Sequence, residues 1–150
     1  GCCGIGPEHI AVLAQKLDQV DANRIAAIGY CMGGSLALGM ARAGLPIRGA
    51  ICFHGTLKPD KPAAPGSVKA RLLVGIGADD PMVGMDQIEA FSREMRDAGA
   101  DYQIIIYGHA RHAFTNPNAD SKGLDGLKYN PNADRRSWQA MKSFFAEVLG

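Results

Sequence analysis

Four short apolar runs, at 24–30, 47–53, 71–76 and 102–107, alternate with segments of helical spacing or turn residues. This alternation constrains the fold more than any other feature. A run such as Arg24–Tyr30 (RIAAIGY) is short and almost wholly apolar, the pattern of a strand buried on both faces. Around the runs, apolar residues recur three or four apart. Ile10, Leu13, Leu17 and Val20 follow Pro7-Glu8, and Ser35–Ala43 is closed by Gly44. Ile88, Phe91 and Met95 fall within Met85–Ala98, which Gly99 ends, and a last helix from about Arg135 to Leu149 is expected to bury Trp138, Met141, Phe145 and Val148. Strands alternating with amphipathic helices predict an α/β fold, a mostly parallel sheet with flanking helices and right-handed crossovers. The 150 residues suit one domain, 1–150, with a single core.

In such sheets, functional groups collect at the C-terminal ends of the strands. The first run ends in Gly29-Tyr30-Cys31-Met32-Gly33-Gly34 and feeds a helix. A strand entering a helix through G-x-nucleophile-x-G forms a tight turn that lifts the central side chain above the sheet. That turn sets a thiol at a helix N-terminus, where a thiolate gains about 0.3–1 kcal/mol. It also aims the backbone N–H of Met32 at a developing oxyanion. The plain alternative is a glycine-rich turn holding an inert cysteine.

A thiol nucleophile needs a histidine, and the chain has four. His9 stands beside Ile10 on the first helical pattern and reads as a surface residue. His54 follows the second run and is positioned to line a pocket. His109 and His112 both follow the fourth run, and spacing does not choose between them. The acid candidates are Asp79 and Asp80, adjacent just past the third run. Nucleophile, acid and base then occur in the chain order found in α/β-hydrolases.

Other chemistries find less support. A net charge of +1 with no long basic stretch argues against a nucleic-acid partner, and no apolar run is long enough to span a membrane. The four cysteines are irregularly spaced, Cys52 within an apolar run, which implies free thiols and a reducing, cytoplasmic setting rather than a disulfide framework. A zinc site from Cys2, Cys3 and His9 lacks a C-x-x-C pair, and a calcium site from Asp120 and Asp125 lacks ligand spacing. No metal or cofactor is therefore expected. Residues 58–67 are Pro/Ala/Gly-rich and read as loop, as does 115–133, where NPNAD occurs twice. The second stretch starts just after His112, which suits a lid or pocket wall, with Asn132 or Asp134 capping the last helix.

Taken together, IGYCMGG around Cys31, GADDPMV around Asp80 and YGHARHAF around His112 resemble the dienelactone hydrolase family of α/β-hydrolases. FHGTL at 53–57 and ADRRSW at 133–138 extend the likeness over nearly the whole chain. In that family two residues and then Val follow the catalytic acid, which selects Asp80. A small residue and then Phe follow the catalytic histidine, which selects His112. The resemblance implies a Cys31–Asp80–His112 triad, Met32 in the oxyanion hole, and Tyr30, His54, Phe114 and Asn116 as substrate contacts. Asn116 stands where the family carries an arginine.

The implied activity is hydrolysis of small-molecule esters or lactones through an acyl-thiol intermediate. The family's first strands normally precede the helix at 8–20, with a second oxyanion donor and a glutamate and an arginine that serve the thiol and substrate. The expectation is therefore a C-terminal portion of the fold. Its first strand would form an open edge, and the chain alone would self-associate or pair with a missing N-terminal segment. Two alternatives remain at this level. One is an inactive hydrolase-fold fragment acting as a packing or interaction module. The other is a glutamine amidotransferase-like domain, which also uses a G-x-C-x-G elbow but pairs it with H-x-E rather than His112-Ala113-Phe114.

Overall fold

The computed structural model describes residues 21–150, so the helix expected at 8–20 and the residues Cys2, Cys3 and His9 lie outside the described residues. Four strands form one sheet in the order β1-β2-β3-β4: Ala26–Tyr30, Gly49–Phe53, Arg71–Gly77 and Tyr102–Tyr107. Every neighbouring pair is parallel, with Ile28 beside Ile51, Ile51 beside Leu73 and Val74 beside Ile104. Three helices accompany them: α1 Met32–Arg42, α2 Met85–Asp97 and α3 Pro131–Leu149.

Alternation along the strands divides the core between two faces. Ala50 and Cys52 of β2 and Leu72, Val74 and Ile76 of β3 pack with Ala37, Leu38 and Ala41 of α1 and with Phe91 and Met95 of α2. Ile51, Phe53 and Leu73 point the other way and meet Ala133, Met141, Phe144 and Val148 of α3. The result is three layers, with α1 and α2 on one side of the sheet and α3 on the other. β2 is buried along its whole length, which explains its unbroken apolar run. Gly49 leaves room for Phe144, whose ring would lie 2.8 Å from an added Cβ.

The helix ends differ in part from expectation. α1 begins at Met32, three residues before Ser35, because the turn compresses into Cys31 alone. α3 begins at Pro131: Asn130 accepts hydrogen bonds from the N–H groups of Asn132 and Ala133, and proline fits the first turn. Its buried face runs through Ala133, Ser137, Met141, Phe144 and Val148, so Phe144 takes the deeper place expected of Phe145. Trp138 is 52% exposed rather than buried. At the far end of α3, the Arg24 guanidinium donates to the carbonyls of Leu149 and Gly150, which complements the helix C-terminus.

The connection between β2 and β3 contains no helix, as its composition suggests. It is tied to the helices by Arg42, whose guanidinium makes a bidentate pair with Glu94 and also donates to the Leu57 carbonyl. Glu94 in turn accepts from the Ala63 N–H. Both side chains are nearly buried, at 8% and 12% exposure, and their polar atoms are satisfied by one another and by the backbone. Among the described residues β1 has no strand on its outer side, and Ile28 and Tyr30 are about 40% exposed, as 39% and 41%. No helix among them is long and apolar enough to cross a membrane.

Candidate active site

The sharp turn after β1 depends on two close backbone approaches. A Cβ on Gly29 would lie 2.0 Å from the Gly33 carbonyl oxygen, and one on Gly34 would lie 2.7 Å from Cys52 Sγ. Only hydrogen fits at either place. Cys31 itself adopts φ 52° and ψ −124°, a strained conformation for a residue with a side chain. Its N–H donates to the Phe53 carbonyl, and its carbonyl accepts from Gly34 and Ser35, which fixes the turn. Among the described residues four non-glycine residues have positive φ: Cys31, His54, His109 and Ala113. Each follows the C-terminal end of β1, β2 or β4. Strain of this kind costs about 1–3 kcal/mol per residue and persists where surrounding structure enforces it.

Beneath the elbow lies a continuous hydrogen-bonded row. His112 Nε2 is 3.1 Å from Cys31 Sγ, and His112 Nδ1 is 2.9 Å from Asp80 Oδ2. A carboxylate oxygen only accepts, so Nδ1 carries its proton and Nε2 faces the sulfur. The other Asp80 oxygen accepts from the Met82 N–H at 2.8 Å. Asp80 is 5% exposed, whereas Asp79, its neighbour, is exposed at the surface. The hydrogen bond to Asp80 raises the His112 pKa above its ordinary value despite partial burial, and the bond to Cys31 acts in the same direction. His109 is exposed and takes no part, beyond a carbonyl that accepts from Asn130 Nδ2.

Cys31 is exposed, while Cys52 is buried below it, its thiol pushed up to about 12 chiefly by burial. Met32 is the first residue of α1, where an N–H has no carbonyl within the helix to bond.

A cleft of about 630 Å³ opens over this row. Tyr30, Cys31, His54 and His112 form its floor, while Thr115, Asn116, Leu127 and Trp138 stand around it. The segment after β4 thus supplies a wall, as its position suggested. It is not loose: the His112 N–H donates to the Gly126 carbonyl and the Lys128 N–H to the His112 carbonyl. The Asn130 N–H reaches the Phe114 carbonyl, and a short 3-10 turn spans Asp120–Lys122. Asn116 lines the cleft with its side-chain oxygen accepting from the Asn118 N–H.

Phe114 corrects the sequence expectation. It is fully buried, packed on Tyr107 and His54 with ring centroids 5.2 and 5.1 Å away, and does not line the cleft. Phe114 instead joins the core under the sheet with Ile51, Phe53, Leu73 and Tyr107.

His54 proves more central than a pocket-lining residue need be. It is 3% exposed, its ring meets that of His112 edge-on at 5.2 Å, and its Nε2 is 2.8 Å from Thr115 Oγ1. Its Nδ1 is buried without a partner. Burial, reinforced by the nearby His112, lowers its pKa to about 4, so the ring is neutral at pH 7. The His54–Thr115 contact joins residues 61 apart, and no local pattern signals it. Among the described residues no cluster of three or more His, Cys, Asp or Glu side chains is arranged to hold a metal, including Asp120 and Asp125.

Comparison with known proteins agrees with this architecture. Uncharacterized protein K02A2.1 of Caenorhabditis elegans is 36% identical over 137 residues, covering 87% of this chain and 84% of that protein. A Yersinia pestis protein provisionally named a carboxymethylenebutenolidase is 29% identical over 135 residues, 85% of this chain and 48% of its own length. The crystal structure of a dienelactone hydrolase-like promiscuous phosphotriesterase from metagenomic libraries superposes with a TM-score of 0.83 at 41% identity, covering 87% of this chain and 55% of that one. The chain therefore spans about half the length of the latter two. The sequence profile of the dienelactone hydrolase family matches residues 8–149, which takes in the four strands among the described residues, the elbow and the cleft wall. This chain belongs to the dienelactone hydrolase family.

Proposed function

We propose that the cleft is the catalytic site of a hydrolase acting on small-molecule esters or lactones through Cys31, His112 and Asp80. The observation that carries this reading is the unbroken row from Cys31 Sγ through His112 to Asp80, 3.1 and 2.9 Å. Relatives named as a carboxymethylenebutenolidase and a lactonase support the substrate class.

In this mechanism Cys31 Sγ attacks the ester carbonyl carbon, its proton passing to His112 Nε2. The Met32 N–H stabilises the resulting oxyanion. Collapse breaks the carbon–oxygen bond, and His112 gives the proton to the departing alkoxide, leaving an acyl-thiol ester on Cys31. Water then attacks the same carbon, with His112 taking its proton, and the carboxylic acid leaves as the thiol is restored. Asp80 holds the imidazole with Nδ1 protonated throughout, and Tyr30, His54 and Asn116 shape the acyl and alcohol pockets.

Turnover of a generic aryl ester tests this. Cys31→Ala should abolish it, and Asp80→Asn should lower it by about 10⁴-fold. Asp79→Asn should leave it within a few-fold, because that side chain is exposed and outside the row. Equal turnover of the two aspartate variants would reject the assignment. Among the described residues no strand covers the outer edge of β1, which supports pairing with a further strand. Light scattering on the purified chain should then show self-association, and a monodisperse monomer would count against it.

A further inference from the structure

The tryptophan on α3 turns outward, into the cleft. Asp134 and Trp138 lie one helical turn apart, and both form part of the cleft wall, as does Tyr30 at the end of β1. Trp138 is 52% exposed, although the same helix offers a buried stripe that takes Ser137 instead. An aromatic ring this large left open beside a carboxylate forms a surface with two kinds of attraction for a cation, the ring face and the charge.

The charge is available. Asp134 Oδ2 accepts from the Tyr129 hydroxyl at 3.0 Å, and no Lys or Arg among the described residues forms an ion pair with Asp134. Asp134 stands in the first turn of α3, where the helix N-terminus carries partial positive charge. Its field reaches Tyr30, whose phenol is raised by burial and then by the Asp134 charge. Arg135 and Arg136, next in the chain, are not part of the cleft wall, and no other Lys, Arg, Asp or Glu among the described residues lines it.

We propose that Asp134, Trp138 and Tyr30 form a subsite for an ammonium group carried by the ester substrate. The ester part of this inference rests on the hydrolytic reading above, whereas the ammonium subsite stands on the cleft wall alone.

Trp138 is the single tryptophan of the chain, so its fluorescence reports on this subsite directly. The probes are choline and its neutral carbon isostere, 3,3-dimethylbutan-1-ol, titrated into the full chain carrying Cys31→Ala. Choline should give a saturable response at about tenfold lower concentration than the isostere, the scale of a cation–π contact reinforced by a carboxylate. Asp134→Asn keeps an acceptor for the Tyr129 hydroxyl and should remove most of that preference without changing the isostere. Equal response to the two probes, or none to choline, would overturn the subsite. An active wild-type chain with no charge preference would refute this subsite and leave the hydrolytic reading standing. Choline binding in a chain whose wild type turns over no ester would do the reverse.

Discussion

Replacing His54 by asparagine should flatten the acid side of the stability profile. His54 is buried against His112, Phe114 and Tyr30, and protonating it would place a second cation beside His112. Its pKa falls from 6.5 to about 4, first through burial and then through His112, with Asp80 acting weakly in the opposite sense. A depressed histidine contributes stability above its unfolded value, and that contribution is lost as pH falls from about 6.5 to about 4. At about 1.4 kcal/mol per tenfold change in proton affinity, the loss comes to about 3 kcal/mol. His112 runs the other way. Its raised pKa gives stability that is fully present below the unfolded value and is lost as pH rises through the folded one. Because the variant retains His112, subtracting the two profiles isolates His54. Asparagine is chosen because it tolerates φ near the 42° found there. Urea unfolding followed by Trp138 fluorescence, from pH 7 to pH 4, should show the wild type losing about 3 kcal/mol more than the variant. Parallel profiles would refute the reasoning.

Two further outcomes follow from the elbow and the core beneath it. Gly29→Ala drives a methyl into the Gly33 carbonyl and should cost about 3 kcal/mol, whereas Gly33→Ala meets nothing within 4 Å and should leave the melting temperature nearly unchanged. Thermal melts of both variants check this, and similar destabilisation by the two would contradict the packing described. Brief iodoacetamide treatment near pH 6 with mass-spectrometric mapping should label Cys31 and spare Cys52, whose thiol is buried and held near 12. Faster labelling of Cys52 would count against the burial that separates the two thiols.

The strands were legible as short, mostly apolar runs, most plainly β2 and β3, which are buried nearly throughout; Tyr102–Tyr107 is observed with the bounds its composition implies although only its last residue is fully buried. The elbow was legible because only glycine fits at its close approaches. Helix starts were less so. The glycines before Ser35 suggest a turn, yet they continue α1, because Cys31 alone absorbs the change of direction. Asn130-Pro131 resembles loop chemistry and instead caps α3 one turn before the expected start. Trp138 fits the apolar spacing of a buried face, but Met141, Phe144 and Val148 already fill the space under the sheet. Spacing alone left Asp79 and Asp80 equivalent, as it left His109 and His112. Burial separates each pair, and burial depends on contacts between strands far apart in the chain. The pairing of His54 with Thr115 belongs to the same class.

The two backbone bonds between His112 and the stretch 126–128 make the cleft wall part of what holds His112 in place. Surface loops usually accept insertions and exchange, but here that freedom is divided. Residues 117–124 make no backbone hydrogen bond to His112, and of them only Pro117 lines the cleft. Gly126 and Lys128 act as a latch on His112, so on the proposed mechanism a graft crossing them would lower turnover for every substrate alike. Changes meant to alter what the cleft admits should therefore be made at the front of the loop, at Asn116 and Pro117, and leave its return stretch intact.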